Sequence, residues 1–344
     1  MAGEKIDIIL PNRIGDSILT LPAILCLKQL RDEYGPGDRQ YLLLTHLPLT
    51  EILKSLNLFE VIRFDRGAKM RSWLRQADKA YFLSTTSKNL GYYSKLSHGL
   101  RLPNKWHIRY SANLPYLSFP DQVTVLPANL VEFLKSQFAL SNYAIKHFGI
   151  CLELGYTVEQ IRRTFRFDPA SSTFSDDFFD WKPPLSSRYL VFCMEAASGR
   201  KKHNADRRWK EEHFIDLAET AHEKYGVHAA FIGINDYPAL PDKPYFHDFR
   251  QKLTLKRTAL LLHYSAGYVG NDTGPLHLAN LMKKNSIGIY MREVALLNYE
   301  PLFPELTAKF LNPGAPAEIY PALDNLLLQT NSIGRVTLRD FKQQ

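Results

Sequence analysis

Along this chain, short runs of consecutive apolar residues alternate with longer stretches in which apolar residues recur every three or four positions. Residues 5–10 (Lys-Ile-Asp-Ile-Ile-Leu) form the first run and predict a buried strand. Residues 17–30 carry Ile18, Leu21, Leu25 and Leu30 on a helical spacing and stop before the turn Tyr34-Gly35-Pro36-Gly37. Further strands are predicted at 41–45, 60–65 and 80–84, with helices at 49–56 and 70–76 between them. Apolar strands alternating with helices specify a parallel sheet covered on both faces. Residues 167–187 break the rhythm with Pro169, Pro183, Pro184 and five serines, which reads as an interdomain linker. The alternation then restarts. Strands are predicted at 189–194, 228–234 and 267–270, with a final one at 286–290; helices are predicted at 211–225, 255–263, 276–282 and, terminally, 321–329. The expected organisation is α/β: an N-terminal doubly wound domain over 1–168, a linker over 169–187, a second such domain over 188–325, and a tail over 326–344.

The 344 residues are too many for one compact core, which agrees with two domains. Lys and Arg number 43 and Asp and Glu 35, a net charge of +8 that suits an anionic partner. The positive residues are dispersed apart from a denser stretch at 200–208. No RNA-binding, helix-turn-helix or zinc spacing occurs, so nucleic acid is not the expected partner. No apolar run reaches the roughly 18 residues a membrane span needs. The N-terminus lacks the pattern of a secretory signal. Three widely spaced cysteines, Cys26, Cys151 and Cys193, read as reduced core thiols of a cytosolic protein. Walker loops, dinucleotide glycine fingerprints, Asp-x-Asp triplets and nucleophile elbows are all missing, and no metal site is expected.

Ligands of open α/β sheets bind beyond the strand C-termini, so the loops there carry the candidate chemistry. The first is Asn12-Arg13-Ile14-Gly15-Asp16-Ser17-Ile18-Leu19-Thr20-Leu21-Pro22. Gly15 permits a tight turn and a close backbone approach. Asp16 at the helix start can serve as general base on a sugar hydroxyl; equally, Asp is a favoured N-cap. The second is Gly270-Asn271-Asp272-Thr273-Gly274-Pro275-Leu276-His277. Pro275 suits a first helical turn, which leaves the N–H groups of Thr273 and Gly274 free for phosphate, with His277 one turn on as a further donor. Asp272 repels phosphate and fits better as an orienting group or a contact to a sugar hydroxyl. A capped helix with a packing histidine accounts for the same residues. The third runs from Met194-Glu195 to Arg207-Arg208-Trp209, where arginines can neutralise a diphosphate or form a solvated basic loop.

Together, the first two motifs and Arg207-Arg208-Trp209 resemble the signatures of glycosyltransferase family 9, the ADP-heptose:lipopolysaccharide heptosyltransferases. The resemblance spans about 5–330. It implies a GT-B architecture, two Rossmann-like domains facing a central cleft, and metal-independent, inverting transfer of heptose from ADP-heptose to a Kdo or heptose of the lipopolysaccharide core. No cofactor is implied. By the same resemblance, Asp16 matches the base, and Thr273, Gly274 and His277 the diphosphate turn with Asp272 before it. Arg207 stands where the family usually has a lysine. Leu253 falls near a position packing on adenine, and Asp236 near an acidic residue at the ribose. Arg13, Gly15 and Lys88 fall on the acceptor side. The expected location is the cytoplasmic face of the inner membrane, with peripheral contact to an anionic acceptor. Two alternatives stay open: a same-fold enzyme using another nucleotide-sugar or a capsule, O-antigen or protein acceptor, and a catalytically silent nucleotide-sugar-binding protein.

Overall fold

A computed structural model describes residues 4–11, 13–35, 39–45, 48–63, 78–83, 106–108, 126–167, 174–196, 207–235 and 238–333. Its contacts divide the chain into two units. The first comprises Met1–Asp180 and the returning segment Asn298–Leu302; the second comprises Trp181–Leu297 and Phe303–Gln344. The return of 298–302 to the first unit is a departure from the contiguous domains read from sequence.

In unit 1, strands β1 (Glu4–Ile9), β2 (Arg39–Thr45), β3 (Glu60–Arg63), β4 (Lys79–Phe82) and β5 (Trp106–Ile108) form one parallel sheet in the order β3-β2-β1-β4-β5. β1 is central, and Ile6, Ile8 and Ile9 are fully buried in it, which explains the uninterrupted apolar run. The single helix expected over 17–30 is two: α1 (Ile14–Ile18) and α2 (Leu21–Tyr34). Pro22 lies in the first turn of α2 and has no N–H to continue a helix through Leu19 and Thr20. The Thr20 hydroxyl donates to the Ser17 carbonyl at 2.7 Å, taking up an acceptor at the break. The remaining helices of this unit are α3 (Thr50–Ser55), α4 (Ala128–Phe138), α5 (Asn142–Ile145), α6 (Gly149–Glu153) and α7 (Val158–Thr164). A reciprocal capping box between Thr157 and Gln160 starts α7. The expected helix at 70–76 lies outside the described residues.

In unit 2, β6 (Tyr189–Cys193), β7 (His228–Phe231), β8 (Phe246–Asp248), β9 (Gly267–Asn271), β10 (Ser286–Tyr290) and β11 (Thr307–Leu311) form a second parallel sheet, ordered β11-β10-β9-β6-β7-β8. Numbered from its own first strand this is 3-2-1-4-5-6, the Rossmann order. Helices α8 (Glu211–Tyr225), α9 (Leu255–Tyr264), α10 (Gly274–Leu281), α11 (Glu293–Asn298) and α12 (Tyr320–Ile333) accompany it. The core joins Leu190, Phe192, Phe214, Leu217, Ile287, Leu323 and Leu327. β10 is therefore not the last strand, and α12 carries the chain to Ile333, past the start expected for the tail. β11 escaped notice because it is an edge strand with mostly exposed side chains, so it has no apolar run. β8 escaped because it has three half-buried residues.

Candidate active site

In each unit the strand order reverses at one point: between β1 and β4 in unit 1, and between β6 and β9 in unit 2. Crevices beyond the strand C-termini form at such points. The first motif follows β1. The second follows β9, and Met194-Glu195 follows β6.

In unit 1 the N-cap of α1 is Arg13, which is exposed and makes no side-chain cap hydrogen bond. Asp16 lies inside the first turn, half-buried. The capping alternative for Asp16 therefore does not describe its position. Gly15 is buried within α1, and its carbonyl accepts from the Leu19 N–H at 3.0 Å. It therefore forms helix rather than the tight turn expected. Two other residues of the motif are structural. Ser17 and Thr20 are fully buried, and the Ser17 hydroxyl donates to the Pro11 carbonyl at 2.8 Å, fastening the helix to the end of β1.

Unit 1 also holds a charged side chain that the motifs do not contain. Lys146, at the C-terminal end of α5, is buried, and burial pushes its ammonium well below the usual lysine range while the Asp16 carboxylate acts in the opposite sense. The sequence offered a faint signal: Lys146 is the one Lys, Arg, Asp or Glu between Lys135 and Glu153.

In unit 2 the end of β9 is pinned by Asn271, which is fully buried. Its Oδ1 accepts from the Trp209 N–H at 3.0 Å, and its Nδ2 donates to the Met194 carbonyl at 2.8 Å and the Glu195 carbonyl at 3.3 Å. One side chain thus ties the end of β9 to both ends of the connection that follows β6. Trp209 is anchored in turn by its indole N–H, which donates to the Pro313 carbonyl at 2.7 Å. At Gly270 an added Cβ would run into the Tyr268 hydroxyl and meet the Cys193 carbonyl at 2.9 Å, so no larger residue fits where β6 and β9 converge.

Asp272 holds an arginine. Its Oδ2 accepts from Arg207 Nη2 at 3.1 Å, with both side chains largely covered. The orienting role expected of Asp272 thus falls on Arg207. One guanidinium edge is committed to the carboxylate, and the other donors of the fork remain for an anion. Thr273 is the extended N-cap of α10 and makes no side-chain cap; its hydroxyl donates to the Asn271 carbonyl at 3.3 Å. With Pro275 next, the N–H groups at this helix start have no intrahelical acceptor. His277 is 4% exposed, and burial lowers its pKa to about 4, so it stands here as a neutral imidazole. It can donate a proton in a hydrogen bond but carries no charge to an anion.

Beyond β6 and β7 lies a cavity of about 250 Å³ lined by Glu195, Arg208, Asn235 and Arg250 among others. The Glu195 carboxylate accepts from the backbone N–H groups of Asn235 at 2.6 Å and Ile234 at 3.0 Å. An added Cβ at Gly233 would approach Glu195 Oε1 to 2.5 Å, so this close contact needs the glycine. Arg250, nearly fully buried, pairs with both carboxylate oxygens of Asp248. Leu253 is half-buried in the turn before α9. Asp236 and Lys88 lie outside the described residues.

The family model for glycosyltransferase family 9 (heptosyltransferase) matches residues 94–294. No curated protein matches the chain. Among solved structures, the E. coli ADP-heptose LPS heptosyltransferase II superposes with a TM-score of 0.67 at 16% identity, covering 95% of this chain and 99% of its own. A glycosyl transferase family 9 protein from Veillonella parvula gives 0.62 at 15%, covering 96% and 99%. The E. coli heptosyltransferase WaaC with ADP gives 0.58 at 15%, covering 94% and 99%. These likenesses establish the fold as the GT-B type, with a Rossmann-like parallel sheet in each unit.

Proposed function

The chain belongs to glycosyltransferase family 9, the heptosyltransferase family, and from that premise we propose that it transfers heptose from ADP-heptose to a Kdo or heptose residue of a lipopolysaccharide core. It is a glycosyltransferase; donor, acceptor and the residue roles below are the reading advanced here. The observation that carries it is the anion-ready corner of unit 2. There the start of α10 at Thr273 and Gly274 stands beside an arginine whose geometry Asp272 fixes. Helix N-terminal N–H groups and one edge of the Arg207 guanidinium are a donor set for a diphosphate. His277 adds a neutral donor. Leu253 and Asp236 are assigned to the adenosine end. WaaC structures with ADP and with ADP-2-deoxy-2-fluoro heptose support a nucleotide-sugar of this class.

Asp16, with Arg13, Gly15 and Lys88 on the acceptor side, supplies the base. The acceptor hydroxyl oxygen attacks the anomeric carbon and forms the new C–O bond. The C–O bond to the diphosphate breaks, ADP leaves with the electron pair, and the hydroxyl proton passes to the Asp16 carboxylate. One displacement inverts the anomeric configuration. The developing charge on the diphosphate meets donors already in place, which is electrostatic stabilisation without reorganisation. The work a divalent cation does elsewhere falls to Arg207 and the helix start, so a chelator leaves the rate unchanged. The acceptor is anionic and membrane-borne, and contact with the inner membrane is peripheral.

The test is Asp16→Ala assayed for turnover and for ADP binding separately. Loss of the base lowers the rate about 10²–10⁴-fold with the ADP dissociation constant within about twofold of wild type. Near-wild-type turnover by a folded variant rejects the assignment. A thermal-shift series with ADP, GDP and UDP tests the donor class in parallel, because a ligand bound only by the native state raises the melting temperature. Stabilisation by GDP or UDP but not ADP rejects the adenine nucleotide.

A further inference from the structure

Glu195 stands in the third motif, yet the reaction described above gives it no part. It follows β6 closely and is half-buried in the wall of the cavity of about 250 Å³. Both of its ends are held. Its carbonyl accepts from Asn271 Nδ2 at 3.3 Å, which fastens it to the last residue of β9, just before Asp272. Its carboxylate reaches the other way, to the loop after β7. There Oε1 accepts from the Asn235 N–H at 2.6 Å and Oε2 from the Ile234 N–H at 3.0 Å.

The loop is placed by hydrogen bonds more than by packing. Ile234 is 61% exposed and Asn235 is exposed, so neither gains its position by burying its side chain. The Ile232 N–H donates to the Phe192 carbonyl at 2.9 Å, and the Gly233 carbonyl accepts from the Gln251 N–H at 2.9 Å. Past Gly233 the Glu195 carboxylate takes two successive amides, and hydrogen bonds to an ionised acceptor are roughly twice as strong as neutral ones. The approach is close: an added Cβ at Gly233 would lie 2.8 Å from Glu195 Cδ. The arginines of the cavity wall are engaged with other carboxylates, Arg250 with Asp248 and Arg208 with Glu211 at 3.5 Å. Glu195 is thus bound to the backbone of the loop.

We propose that Glu195 is a positioning residue for the nucleotide donor: pinned at its carbonyl to the end of β9 and gripping Ile234 and Asn235 with its carboxylate, it holds the nucleoside-binding loop at a fixed place relative to the diphosphate corner. The inference rests on the reading of unit 2 as the donor site, in which Arg207, Thr273 and Gly274 take the diphosphate and Asp236, next in sequence after Asn235, is assigned to the adenosine end. Without the carboxylate the ligand itself has to order the loop, which costs affinity at the nucleoside end alone.

Glu195→Ala is expected to weaken adenosine and ADP alike, about tenfold in titration calorimetry, with the inhibition constant of inorganic pyrophosphate within about twofold of wild type. The KM for ADP-heptose rises by the same factor while kcat holds. Glu195→Gln keeps one acceptor oxygen and turns an amide donor toward the other N–H, so it falls between wild type and alanine. An alanine variant that binds adenosine as wild type does overturns the proposal. So does one that loses pyrophosphate along with adenosine, because the whole site is then damaged. Should the alanine variant fail to fold, the glutamine variant carries the same comparison. Amide hydrogen exchange tests the clamp without any nucleotide. The Ile234 and Asn235 N–H groups are expected to exchange about tenfold faster in either variant than in wild type. Unchanged exchange overturns the clamp. Wild type that is stabilised by GDP or UDP but not ADP rejects the adenine reading, and the exchange measurement still decides on Glu195.

Discussion

At the residue scale, one carboxylate of unit 1 illustrates how burial decides chemistry. Asp7 in β1 is 5% exposed, its Oδ2 has no partner among the described residues, and burial raises its pKa to about 7. A carboxyl whose native pKa exceeds its unfolded value is accommodated in its protonated form. Its contribution is fully present below pH 4 and is lost as pH rises through about 7. Asp7→Asn is therefore expected to melt a few degrees above wild type at pH 8.5, with the difference vanishing near pH 4; calorimetry across that range checks it. In unit 2, Arg207→Ala is expected to weaken ADP and ADP-sugar binding about tenfold or more while leaving adenosine binding nearly unchanged, since charge-assisted bonds to phosphate are worth about 1.5–3 kcal/mol each. Titration calorimetry with the three ligands distinguishes this from global damage, which lowers all three affinities alike. Arg207 and Asp16 could be singled out as candidates because each sits in a compact motif beside a strand end. The Arg207–Asp272 bond was not, because 65 residues separate partners that only the adjacency of β6 and β9 brings together. Lys146 was hidden for the same reason: a lysine in an apolar helical stretch has no motif, and its meaning lies in what packs against it.

At the scale of elements, the parallel order of both sheets was legible because central strands are buried on both faces and so read as continuous apolar runs. Edge elements were not: β8 and β11 are short or half-exposed and carry no such run. The helix break at Leu19–Thr20 needed Pro22 to be weighed against a periodicity that continued through it. The loops over the sheet ends follow a different logic, in which one polar side chain does what apolar packing does inside. Asn271→Ala leaves the Trp209 N–H and the Met194 carbonyl without their partner, and each buried orphan costs about 1–3 kcal/mol. A destabilisation of about 2–5 kcal/mol is expected from denaturant unfolding, with ADP binding weakened because the loops after β6 and β9 lose their common tie. Asn271→Asp retains the acceptor for Trp209 but loses the amide donor, so it is expected to fall between wild type and alanine. If the alanine variant is as stable as wild type, the loops after β6 and β9 are held by other contacts and the tie is incidental.

At the scale of the whole molecule, the net charge of +8 has to be set against the anionic, membrane-borne acceptor proposed above. No helix among the described residues is long and apolar enough to cross a membrane. We propose that the encounter with the acceptor relies on surface charge, which the net charge of +8 favours. The Debye length shrinks from about 30 Å at 0.01 M salt to about 8 Å at 0.15 M, so attraction between dispersed exposed charges and an anionic surface fades steeply over that range. Near an anionic membrane each lysine or arginine contributes about 1 kcal/mol, and a handful of them give reversible binding without an anchor. Positive residues of the N-terminal half are the candidates for those contacts, Lys88, Lys95 and Arg101 among them; these three lie outside the described residues. Co-sedimentation with vesicles containing anionic lipid is expected to fall by an order of magnitude or more between 0.02 and 0.3 M salt. Vesicles of zwitterionic lipid alone should bind little at either concentration. Charge reversal at Lys88, Lys95 and Arg101 together should raise the KM for the lipid acceptor and leave the KM for the nucleotide-sugar unchanged, because the donor is assigned to residues of the other unit. Binding that resists salt would replace electrostatics with an apolar anchor. Full activity on a soluble sugar or peptide acceptor without vesicle binding would keep the transferase and discard the lipid.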